Sequence, residues 1–117
     1  MGSHGAVASY ALGADIWEAV RLDWRTAPVD ERLRATLGFL EKLTLRPREL
    51  TRGDAVAVLS TGVTEQALVD AIHVAALFNM IDRLADSLGW DVPSDEAFSG
   101  RARAMRESGY RLATVED

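Results

Sequence analysis

The chain contains no cysteine, which excludes a disulfide framework, a thiolate zinc site and thiol catalysis within its 117 residues. Histidine is nearly absent too, with only His4 and His73. Two imidazoles without an assured carboxylate make a poor metal site, so neither metal nor other cofactor is expected. No apolar run reaches the roughly 20 residues of a membrane span. Asp70 and His73 interrupt the longest candidate and Asp82 follows. No charged stretch leads into a short apolar one as in a secretory signal, so a soluble, cytoplasmic protein is expected. Positive charge is short as well: the formal net charge is −5 and the pI about 5.0. Nucleic acid is therefore set aside as a partner, because phosphate neutralisation needs clustered cations. Ser9, Ser60 and Ser87 lack a recognisable base and orienting group, which leaves hydroxyl nucleophiles unsupported.

What is present is helical. Hydrophobic residues make up 48% of the chain, enough for one packed domain over 1–117. The most informative stretch is Thr64 to Gly89, with an N-cap threonine at one end and a C′ glycine at the other. Between them apolar residues occupy nearly every side, and charge returns only at Asp82, Arg83 and Asp86. Such a helix is expected to be buried on several sides, crossing a bundle core or a subunit interface.

Upstream, Val7, Tyr10 and Ala11 share a helical face that Gly13 ends, and Trp17, Val20 and Trp24 form an aromatic stripe after Asp15. Pro28 and Pro47 bracket an amphipathic helix from Val29 to about Leu45, with Leu33, Leu37, Leu40 and Thr44 as its stripe, Phe39 and Leu43 beside it, and Asp30 and Arg34 on its wet side. Thr51 and Asp54 have capping-box spacing for a short helix reaching toward Gly62. Ser94 or Asp95 can cap a last helix carrying Phe98, Ala102 and Met105, with Arg101, Arg103, Arg106 and Arg111 on a solvated face. No strand-period alternation or repeat is visible, so the fold class is all-α, a bundle of five or six helices.

Several segments together resemble a family: Ser3-His4-Gly5-Ala6, Phe39-Leu40-Glu41-Lys42-Leu43-Thr44, the cap and turn from Thr51 to Gly62, Phe78-Asn79, Arg83-Leu84-Ala85-Asp86 and Leu88-Gly89. They are similar to the alkylhydroperoxidase D-like and carboxymuconolactone decarboxylase-like proteins, in particular the peroxidase-related branch. The resemblance covers most of the chain and implies that helical fold, with the long helix buried at its centre. Redox members carry C-x-x-C-x-x-x-H and reduce peroxides with the two thiols. Aligning His4 with that histidine places the second cysteine just before Met1, so the chain is expected to be an N-terminally shortened form. Met1-Gly2-Ser3-His4 also reads as the scar of an expression tag.

A peroxidatic thiolate attacks the peroxide oxygen, and a second cysteine resolves the sulfenic acid. With no sulfur of that kind, His4 is the sole remnant of the catalytic motif. His73, Asn79, Asp82 and Arg83 are the pocket or interface candidates. Asn79 is expected to fix helix register through a buried amide, and Arg83 to pair with Asp86 at i, i+3.

Three functions compete. One is an inactive, oligomeric helical module or fragment of antioxidant-oxidoreductase ancestry. A second is a cysteine-independent lyase of the carboxymuconolactone decarboxylase kind, using His4, His73 and Glu41 as acid–base residues. The third is one half of a split peroxidase site, completed by a polypeptide that supplies the missing N-terminal half. A homo-oligomer, either a dimer or a larger ring, is expected in preference to a monomer.

Overall fold

The computed structural model describes residues 8–9 and 11–109. Five α-helices have both ends among them: α1 (Ala14–Asp23), α2 (Glu31–Leu45), α3 (Arg52–Leu59), α4 (Glu65–Leu88) and α5 (Asp95–Ser108). A 3-10 turn at Pro47–Glu49 joins α2 to α3, and no strand occurs among the described residues. The chain is an all-α helical bundle, as its sequence pattern predicts. No helix among the described residues is long and apolar enough to cross a membrane. Backbone contacts divide it into two compact units, one from Asp23 to Trp90 and one from the segments up to Leu22 and from Asp91.

In the Asp23–Trp90 unit, α2 packs on both α3 and α4, and α3 also touches α4. Each of the three helices gives one buried side chain, Phe39, Val58 and Leu68, to a common cluster. Ala35, Leu43, Leu59 and Ile72 pack around it. Full burial of such side chains contributes roughly 1.5–3 kcal/mol each. The face of α2 that is buried is therefore the one through Ala35, Phe39 and Leu43. Of the stripe expected from spacing, Leu40 packs on this cluster together with the flanking Phe39 and Leu43, whereas Leu33 is 40% exposed and Thr44 is exposed. Both stripes have helical spacing; the neighbours supplied by α3 and α4 decide which of their residues are covered.

Local chemistry marks the helix ends. The Asp30 carboxylate accepts the Arg32 N–H at 2.8 Å, and Thr64 Oγ1 accepts the Ala67 N–H at 3.1 Å. Asp54 reaches back to Thr51, taking its N–H at 2.7 Å and its hydroxyl at 2.8 Å. Gly62 (φ 96°) and Gly89 (φ 61°) turn the chain through left-handed backbone that a Cβ would strain. Gly89 thereby stops α4, with the Trp90 N–H bonded back to the Ala85 carbonyl at 3.0 Å.

The connection before α2 is tied down by two side chains. Arg34, expected on the wet side with Asp30, instead aims its guanidinium at the backbone carbonyls of Trp24, Arg25, Ala27 and Val29. Ala27 beneath is 2% exposed. The Trp24 ring lies over Gly38, where an added Cβ would come within 3.1 Å of it.

In the other unit, residues 8, 9, 11 and 12 are helical, and the Gly13 N–H bonds the Ser9 carbonyl at 3.0 Å before α1 begins. Trp17 and Val20 on α1 are half-buried. Ser94 caps α5 by accepting the Ala97 N–H at 3.3 Å, and Phe98 and Ala102 are buried one turn apart. Arg101, Arg103 and Arg106 are exposed, as the arginine pattern implies; Arg111 lies outside the described residues.

Candidate functional site

The long helix α4 carries most of the sequence-predicted positions, and its two sides have opposite fates. Leu68 is buried and Ile72 packs on the core, followed on the same side by half-buried Ala75 and Asn79. The other side presents Val74, Leu77, Ile81, Leu84 and Leu88, which are 44–64% exposed. At 100° per residue the two stripes lie about 170° apart. The expected burial of α4 on several sides is thus not met among the described residues: beyond Ile72 no residue of α4 belongs to the core cluster. An apolar side left open to water over four turns is the feature of this molecule that most needs an explanation.

Polar candidates on α4 form one small network. Asn79 Nδ2 donates to the Ala75 carbonyl at 2.9 Å and to Thr44 Oγ1 at 3.4 Å, the latter bond reaching across to α2. Arg83 donates to the Asn79 carbonyl at 2.9 Å and to its Oδ1 at 3.3 Å. Asn79 is half-buried, not buried as expected, and its amide makes one long bond across to α2. The hydrogen bonds of Arg83 thus run one turn back to Asn79 and not to Asp86. Asp82 and His73 are exposed, and His73 projects about 120° round the helix from Asn79. The structure does not gather these groups into one pocket. His4 lies outside the described residues.

Glu41 is engaged elsewhere. One of its oxygens accepts the Trp24 Nε1–H at 2.9 Å, and the Arg25 guanidinium spans both at 2.6 and 2.8 Å while stacking 4.6 Å above the Trp24 ring. Both oxygens of Glu41 are thus committed to structural contacts with the Trp24–Arg25 corner. Lys42, its neighbour, donates to Asp54 at 2.7 Å, an ion pair joining α2 to α3. Lys42 and the two further donors from Thr51 hold the Asp54 carboxyl down at about 2. A cavity of about 340 Å³ lies beside this pair, lined by Ala35, Gly38, Phe39, Ala57 and Val58 among others, with Lys42 and Asp54 already satisfying each other at its edge. Among the described residues no three of His, Cys, Asp and Glu stand close enough together to hold a metal ion.

No family model and no curated protein matches this chain. Two features escaped the sequence pattern. The Arg34 clamp has no signature, because its acceptors are backbone carbonyls. The outer stripe has one: its spacing of three, four, three and four is visible once the helix is divided into two sides instead of being counted as apolar all round.

Proposed function

We propose that this chain is a helical assembly module, built on a scaffold like that of the alkylhydroperoxidase D-like proteins and without peroxide chemistry of its own. The observation that carries this is the outer stripe of α4, apolar from Val74 to Leu88 and open to water. A helix with one stripe in its core and another facing outward is suited to receive a second apolar helix. The scaffold likeness is supported by the succession of capped short helix, glycine turn and long glycine-stopped helix from Thr51 to Gly89. The lyase alternative is disfavoured by the structural engagement of Glu41.

A stripe that docks a partner tolerates charge, whereas a stripe that holds the fold does not. The double variant Leu77→Glu/Leu84→Glu is therefore expected to keep its helical circular dichroism and its urea midpoint at low protein concentration. Unfolding of that variant would assign the stripe to the core and remove the docking role. Peroxide consumption by the purified chain with a dithiol donor would equally overturn the proposal.

A further inference from the structure

The outer stripe of α4 has the register of a two-stranded coiled coil, and we infer that its occupant is the same stripe of a second copy, packed parallel and in register. This rests on the docking role proposed above and names its partner. Val74, Ile81 and Leu88 fall at a positions, and Leu77 and Leu84 at d positions. β-branched residues at a with leucine at d are the combination that favours parallel pairs over higher assemblies, and Val74 and Ile81 supply it.

Charge argues for self-pairing as well. Two copies of a chain with formal charge −5 repel unless they meet where charge is missing. The flanking g positions are His73, Met80 and Ser87, and the e positions are Phe78 and Ala85, none of them a carboxylate. Asp82, Arg83 and Asp86 occupy b, c and f, away from the seam. Area is sufficient too. Val74, Leu77, Met80, Ile81, Leu84 and Leu88 are each 44–64% exposed. Covering them removes on the order of 500 Å² per copy, so that a pair reaches roughly the 1,000 Å² which separates a specific interface from a chance contact.

The lack of native cysteine makes the test direct, because an introduced thiol is the sole one in the chain. A parallel in-register pair brings each seam position next to its own counterpart, within the roughly 4–7 Å between Cα atoms that a disulfide spans. Val74→Cys, Leu77→Cys and Leu84→Cys are each expected to cross-link covalently under mild oxidant, and Asp82→Cys to form no cross-link. In sedimentation equilibrium the wild type should be a dimer, and Leu77→Asp/Leu84→Asp should raise the dissociation constant roughly 100-fold. Cross-linking at a single seam position, which an antiparallel pair produces near its axis, would overturn the inference. So would a monomeric wild type, or a monomer that pellets with phosphatidylcholine vesicles. If the wild type is monomeric while the charged variant stays folded, only the pairing fails; if the charged variant unfolds, the docking role fails with it.

Discussion

Asp54 shows how a single residue can tie two helices and one cap together. Lys42 from α2 donates to one of its oxygens, and Thr51 gives the other both a backbone and a hydroxyl hydrogen bond. All three donors favour the charged form, which takes the carboxyl from an ordinary 3.8 down to about 2. A group whose folded pKa is depressed contributes stability that is complete above its unfolded value and is lost as pH falls through the folded one. Urea midpoints measured from neutral pH downward should therefore fall more steeply in the wild type than in Asp54→Asn between about 3.8 and about 2. Parallel curves in that window would show that Lys42 does not hold Asp54 in solution.

Among the elements, α2 does more than its amphipathic pattern implies, since it organises the segment that leads into it. Four carbonyls from Trp24 to Val29 converge on Arg34, and that segment has no helix of its own to satisfy them. Replacing Arg34 by methionine keeps the aliphatic stem and leaves these carbonyls without their charged donor. A loss of about 2–3 kcal/mol is expected in chemical denaturation, with Arg34→Lys recovering only part of it because one ammonium cannot reproduce a planar fork. A change below about 0.5 kcal/mol would mean that water replaces the clamp at no cost. The helix ends were legible in the sequence because caps are local: Thr51 with Asp54, Thr64, Gly89 and Ser94 each act within a few residues. Which side of α2 is buried was legible only in part: Leu40, Phe39 and Leu43 reach the core as their spacing suggests, while Leu33 on the same stripe stays exposed because Val58 and Leu68 arrive on the other side of it. For the candidate site, Asn79 and Arg83 were legible as polar groups on one turn of an apolar helix. The separation of His73 from them follows from helical phase, and the engagement of Glu41 depends on Trp24 and Arg25, far away in sequence.

For the molecule as a whole, few side chains carry the fold. Among the described residues of the Asp23–Trp90 unit, the buried hydrophobics are Ala27, Phe39, Val58 and Leu68. Set against roughly 1–2 kcal/mol of backbone ordering per residue, so small a core leaves a thin margin, and any apolar surface covered by association raises it directly. Stability should then depend on protein concentration, as it does whenever a partner binds the folded state alone. For a dimer of chains this size, each tenfold increase in concentration is expected to raise Tm by about 3 °C, and Leu77→Glu/Leu84→Glu should abolish the dependence. The variant is informative because it separates two sources of stability that act through one helix. Loss of the concentration dependence with an unchanged Tm in dilute solution places the outer stripe in the assembly and the Leu68–Ile72 side in the fold. A wild-type Tm that stays constant over roughly a hundredfold range of concentration would show that the chain folds without the help of a second copy.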